Sequence, residues 1–215
     1  MRVALLLVAL LVATQDAHAE WRMGVSAYAG SRVLDERLDD YRWDVRPAPV
    51  LGLEGIARRG RAEFALAVER SSTEQALGLP GTTVAPRVDL TQVALRGRFH
   101  FFSRGPVAFS AGAGLGRMHL GWQPDALEVE VEGIAAPLQI DYAPVDTWRR
   151  ELAIGAEWRL THSLALGLVG EQSWFDLDTA HRAGDAIVDQ NETFSSLDFR
   201  LHLKWTFAAR TEATR

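Results

Sequence analysis

The stretch SSLDFRLHLKWTF, residues 195–207, alternates strictly. Leu197, Phe199, Leu201, Leu203, Trp205 and Phe207 are bulky and apolar. Asp198, Arg200, His202 and Lys204 stand between them, ionisable and of both signs. Side chains of a β-strand point alternately to opposite faces, so this stretch predicts a strand with one apolar and one ionic face. Two environments suit such a strand. A soluble sandwich covers the apolar face with a second sheet. A membrane barrel shows that face to lipid and keeps the charges in its lumen.

The rest of the chain chooses between them. Residues 1–19, MRVALLLVALLVATQDAHA, place Arg2 before an apolar run from Val3 to Ala13 and a small-x-small site, Ala17-His18-Ala19, before Glu20. This is the layout of a secretory signal peptide. The run is shorter than the roughly 20 residues that a membrane-spanning helix needs. Residues 20–207 are then read as one domain and 208–215 as a short tail. The 215 residues include no cysteine, which excludes disulfides and thiolate metal sites. The net charge of −5 and the lack of a basic stripe argue against nucleic acid as a partner. No apolar stretch after Ala19 is long enough for a membrane helix, so entry into a membrane would require a closed barrel.

Seven further segments share the period of two. Trp21–Gly30 sets Trp21, Met23, Val25, Ala27 and Ala29 on one face. Val50–Ala57 opposes Leu51 and Leu53 to Glu54. Residues 62–69 set Phe64, Leu66 and Val68 against Glu63 and Glu69. Residues 92–102 set Val93, Leu95, Phe99 and Phe101 against Gln92, Arg96, Arg98 and His100. In residues 107–116, Val107, Phe109 and Leu115 face away from Ser110, Gly112, Gly114 and Gly116. Leu152, Ile154, Trp158 and Leu160 oppose Arg149, Glu151, Glu157 and Arg159. Leu164, Leu166, Leu168 and Trp174 oppose Glu171 and Ser173.

The connections sort by length. Arg58–Arg61, Ser103–Pro106 and Thr161–Ser163 are tight, whereas 31–49, 70–88, 118–147 and 175–194 are long. Outer-membrane barrels have short periplasmic turns and long external loops. The predicted fold is therefore all-β: an eight-stranded antiparallel transmembrane up-and-down β-barrel. The third long connection holds two alternating pieces, ALEVEVEG and APLQIDYA, read as an external hairpin. They are too short for spanning strands of roughly 9–11 residues, which argues against ten strands.

An eight-stranded barrel is narrow and filled by side chains. Its inner face here is small or charged, and unpaired buried charges are expensive. Glu54, Glu63, Glu69, Glu151, Glu157, Glu171 and Asp198 are expected to pair with Arg96, Arg98, Arg159, Arg200 and Lys204. His100 and His202 share that face and are expected to meet or to hydrogen-bond. Aromatics near strand ends (Trp21, Phe99, Phe101, Trp158, Trp174, Trp205, Phe207) suit a membrane interface.

VAFSAGAGLG (107–116), GAEWRLTHSLALGL (155–168) and the near-terminal KWTF (204–207) resemble the strand-turn-strand idiom and closing aromatic of the small outer-membrane β-barrel family of the OmpA, OmpX and OmpW kind. The resemblance covers residues 20–207 as a pattern. It implies a cell-envelope location in the outer membrane, contact with outer-membrane lipids and lipopolysaccharide, insertion by the barrel-assembly machinery, and a monomer. It implies no cofactor. In the family the aromatic usually ends the chain, and here eight residues follow Phe207.

Catalytic signatures are thin. Among barrels that act on lipid A, the deacylase type carries a His-x-Ser-Asn-Gly stretch, which is absent. The palmitoyltransferase type uses loop-borne His, Asp and Ser, for which His119, His181, Asp176 and Ser173 are candidates without diagnostic spacing. In the first long connection Asp35, Glu36, Asp39, Asp40 and Asp44 could suit calcium, but Arg37, Arg42 and Arg46 interleave and point to a solvated loop. The expectation is a non-catalytic barrel with a salt-bridged lumen, structural or surface-interacting, with no catalytic, cofactor or metal residues. The alternatives are a narrow channel or lateral conduit for small apolar molecules, and a lipid A-modifying enzyme. A histidine within hydrogen-bond reach of a serine or aspartate at the lipid face would favour the enzyme.

Overall fold

The computed structural model describes residues 20–34, 41–43, 46–77, 86–129, 137–183 and 186–207. Eleven strands follow in chain order: β1 (Trp21–Leu34), β2 (Tyr41–Trp43), β3 (Ala48–Arg59), β4 (Ala62–Leu77), β5 (Arg87–Arg104), β6 (Val107–Gln123), β7 (Ala126–Val129), β8 (Leu138–Asp141), β9 (Val145–Arg159), β10 (Leu164–Ala183) and β11 (Ala186–Thr206). The eight long ones form an antiparallel meander in the order β4-β3-β1-β11-β10-β9-β6-β5, and β4 pairs with β5 to close it. This is the predicted eight-stranded barrel. The first and last strands meet over a long register, from Gly24 opposite Thr206 to Leu34 opposite Ser196.

The tight connections are as short as expected. Gly60 and Gly105 take positive φ (55° and 60°) in their turns, a region that costs glycine nothing. All three tight turns lie at one end of the barrel, called the turn end below. The long connections lie at the other, the loop end.

The strands overrun the predicted boundaries at the loop end. Residues 175–194 are not a long loop: β10 and β11 run on as one hairpin, paired from Leu164–Trp205 to Ala183–Ala186. β1 reaches Leu34 and β4 reaches Leu77. The third long connection does hold a hairpin, β7 on β8, as a separate two-stranded sheet outside the barrel. At its base Trp122 stacks on Tyr142, 5.7 Å between centroids. In the first long connection β2 pairs with the end of β4. A register shift at His100/Phe102 turns both Phe101 and Phe102 outward. The proposed signal peptide, the tail and the acidic cluster at Asp35, Glu36, Asp39, Asp40 and Asp44 lie outside the described residues.

Candidate functional site

Apart from the shift at His100/Phe102, alternation runs along the long strands, yet on several of them its polarity reverses along the barrel. Toward the turn end, the outward positions are apolar. On β11 they run from Leu197 to Phe207 and are about half exposed. That span matches the roughly 9–11 residues a tilted strand needs to cross a bilayer. Toward the loop end the faces exchange character. On β5 the outward residues become Arg87, Asp89 and Thr91, while Val88 and Leu90 are buried inside. On β6 Arg117 and His119 face out and Met118 and Leu120 face in. On β10 Phe175 and Leu177 point inward beside the outward Asp176 and Asp178. Trp148 and Trp174 stand on the outer surface near this reversal, whereas Trp21, Phe101, Phe102, Trp158, Trp205 and Phe207 gather at the turn end.

Inside the apolar band, the lumen is filled with charge. Seven acids (Glu54, Glu63, Glu69, Glu151, Glu157, Glu171, Asp198) meet seven bases (Arg32, Arg58, Arg96, Arg98, Arg149, Arg200, Lys204) in ion pairs, so the network is neutral. Glu69 is the hub, touched by Arg32, Arg96, Arg149 and Arg200. Asp198 accepts from Arg32 (2.8 Å), Arg149 (2.8 Å) and Arg200 (2.6 Å). Arg200 Nη1 donates to Glu171 Oε2 at 2.6 Å. Arg96 reaches Glu54 at 2.9 Å and also contacts Glu151. Arg149 donates further to Gln92 and to Ser173. Tyr28 Oη donates to Glu69 at 2.8 Å, and the Arg96 and Arg200 guanidinium groups lie over its ring. Small residues opposite make the room: the ring of Tyr28 packs over Gly52 and the carboxylate of Glu151 over Gly114.

The expected acids all take part. Among the expected bases, Arg159 is exposed and makes no ion pair with the described residues. Arg32, Arg58 and Arg149 replace it. Arg32 falls in the long connection expected over 31–49 but lies on β1, where its parity with Tyr28 puts it on the inner face. His100 and His202 are both buried in the lumen with separate partners. His100 Nε2 lies 3.2 Å from Glu63, and His202 Nδ1 lies 3.2 Å from Ser26 Oγ, its ring stacked on Tyr28.

Above the network, toward the loop end, the lumen is closed by an apolar core: Leu34, Val88, Leu90, Met118, Leu120, Phe175, Leu177 and Phe194, with Trp122 and Val145 against it. Below it, Glu63, His100 and Glu157 bring three potential metal-ligand atoms within 4.8 Å of one another. The Lys204 ammonium already bridges Glu63 (2.9 Å) and Glu157 (3.0 Å). A dication there would displace or face a fixed charge of its own sign.

The catalytic candidates separate. Ser173 is buried in the lumen, bonded to Arg149 and Ser196. Asp176 is outward, paired with Arg150 at 3.1 Å and accepting from Thr193 at 2.6 Å. The strand placement of His181 is described, on β10, but not its side chain. His119 is on the outer surface, its Nδ1 3.0 Å from Asp146 Oδ1. Arg117 stacks over Trp148 and lies 3.6 Å from the same aspartate. Register sets Thr91, His119 and Asp146 side by side on three adjacent strands.

No family model matches the sequence, and no curated protein matches it. Solved structures do match. Neisserial surface protein A aligns with a TM-score of 0.59 at 11% identity, covering 86% of this chain and 97% of that one. OprG of Pseudomonas aeruginosa, an outer membrane protein, aligns with a TM-score of 0.54 at 9% identity, covering 88% and 95%. The fold is that of the small outer-membrane β-barrels.

Proposed function

We propose that the protein is a resident outer-membrane barrel that does not conduct, exported by a cleaved signal peptide at residues 1–19 and inserted by the barrel-assembly machinery as a monomer. Its turns face the periplasm and its hairpins face outward among lipopolysaccharide. Its role is structural or surface-interacting. The observation that carries this reading is the double closure of the lumen: a neutral ion-pair network inside the apolar band and an apolar core above it. Charge pairs that satisfy one another and packed hydrocarbon each disfavour a continuous file of water. The fold likeness to solved outer-membrane barrels supports the location.

Planar-bilayer recording tests it. Wild-type protein should give little or no conductance at neutral pH. Glu151→Gln with Glu171→Gln should remain closed as well, because the apolar core is a second seal. A large, steady wild-type conductance would replace this reading with the channel. The lateral-conduit alternative has no supporting observation among the described residues.

One observation favours the lipid-modifying alternative. His119 and Asp146 form a hydrogen-bonded pair on the outer wall, beside Trp148 and on the polar side of the reversal. General-base catalysis needs a histidine oriented in this way. Against it, Arg117 shares the aspartate and no serine hydroxyl bonds His119 among the described residues, the pattern of a rim ion pair. Mass spectrometry of lipid A from cells expressing wild type or His119→Ala decides: identical acylation excludes the enzyme.

A further inference from the structure

The turn end is unlike the rest of the barrel in charge. Arg22, Arg58, Arg59, Arg61, Arg104 and Arg159 cluster there. Apart from Glu63, which is buried and paired with Arg98 and Lys204, the acids at this end among the described residues are Glu20 and Glu157. Glu157 is taken by Arg58 and Lys204.

A polar cavity of about 370 Å³ opens at the centre of this cluster. Arg22, Arg58, Glu157, Arg159, Ala165 and Thr206 line it. These six have the parity of inward-facing residues on their strands, and the turn residues Gly60, Thr161, His162 and Ser163 complete the lining, so the cavity lies at the mouth of the lumen and its rim. Glu157 in its wall is bridged by Lys204 to Glu63, one step further along the inner faces of the strands. Arg22 and Arg159 have no ion-pair partner among the described residues. Thr161, also in the lining, accepts from the backbone N–H groups of Ser163 and Leu164, which leaves its own hydroxyl proton free to donate.

We propose that this vestibule binds a small, soluble, phosphate-bearing anion through Arg22, Arg159 and the Thr161 hydroxyl. Guanidinium forks match phosphate oxygens bidentately. The volume exceeds what one phosphate group fills and falls in the range of small-ligand sites, about 300–1,000 Å³. Arg22 and Arg159 take luminal positions, so the barrel wall stands between them and the bilayer. That geometry selects a soluble anion over a lipid headgroup. The proposal rests on the outer-membrane reading for the compartment the cavity faces and for the bilayer around the wall.

Calorimetric titration with inorganic pyrophosphate tests it, using the chain as recovered from cells and placed in nanodiscs of zwitterionic lipid. One saturable site is expected. Arg22→Gln with Arg159→Gln should weaken binding at least about tenfold, the loss expected for removing hydrogen bonds to a charged group. Glu20→Gln should strengthen it by removing a like charge. Far-ultraviolet circular dichroism and heat-modifiable gel migration check that each variant is folded. No saturable binding by folded wild type overturns the proposal, as does equal affinity in the folded double variant. Loss of pyrophosphate binding when anionic phospholipid is added to the nanodiscs also overturns it, because a headgroup would then be the occupant. None of these results bears on whether the lumen conducts.

Discussion

Arg96 and Leu90 lie on the same inner face of β5, six residues apart, and both are buried. Arg96 sits among four carboxylates, Glu54, Glu69, Glu151 and Glu171. Leu90 sits in a core of aliphatic and aromatic side chains. Outside, the contrast is reversed: Leu95 is exposed on the apolar band and Asp89 pairs with Arg70 and Arg87. The turn-end half is organised as a membrane protein and the loop-end half as a water-soluble barrel. What surrounds the wall decides what fills it. Against hydrocarbon the outer face must be apolar, and the inner face is left to polar groups that satisfy one another. Against water the outer face is charged, and burial of apolar surface inside stabilises the barrel in the usual way.

Breaking each half should have different consequences. The largest effect is expected at the hub of the network. Glu69→Ala leaves Arg32, Arg96, Arg149 and Arg200 short of an anion, and removing one partner of a buried pair costs about 3–5 kcal/mol. Urea titration of the barrel folded in lipid would measure this. Wild-type stability would mean that the network rearranges freely and that its pairing is not specific.

Leu120→Ala attacks the other half. A buried leucine replaced by alanine loses about 2–5 kcal/mol through transfer and cavity terms. The same titration reads it. An effect below the range would show that the loop-end core is loosely packed and contributes little as a seal.

Leu201→Arg and Asn191→Arg locate the boundary between the halves, since both residues are outward on β11. The first places a charge in the apolar band and should cost about 2–4 kcal/mol near the bilayer midplane. The second lies above the reversal, where the new arginine can meet Asp178, the present partner of Asn191; it should change stability by less than about 0.5 kcal/mol. Equal costs at the two positions would mean that the polarity reversal does not mark the membrane edge.

Strand faces, strand number, closure of β1 on β11 and the hairpin in the third long connection were all legible in the sequence. A period of two reports which side of a strand each residue takes, and that is a local property. The closing stretch shows it well: Leu197 to Phe207 face out, and Asp198, Arg200, His202 and Lys204 are inside. Their neutralisation was also foreseeable, because buried charge demands a partner. The polarity reversal was not. Alternation reads the same whichever face is apolar, so a template with the apolar face outward ends at Trp174 and leaves Phe175, Asp176, Leu177 and Asp178 to the long connection. Arg32 keeps the unreversed pattern, an inward charge, but lies two residues past the Gly30 boundary that the sequence suggests.

The identity of the ion pairs belongs to the tertiary structure. Glu69 and Arg200 are 131 residues apart in the chain and meet at 3.2 Å. They do so only because closure and register carry both side chains to one level of the lumen. The vestibule needs the same closure, since Arg22 and Arg159 come from strands that never pair with each other. Local alternation determined which side chains enter the lumen; only the closed barrel decided which of them touch, because depth along the axis is set by register across strands.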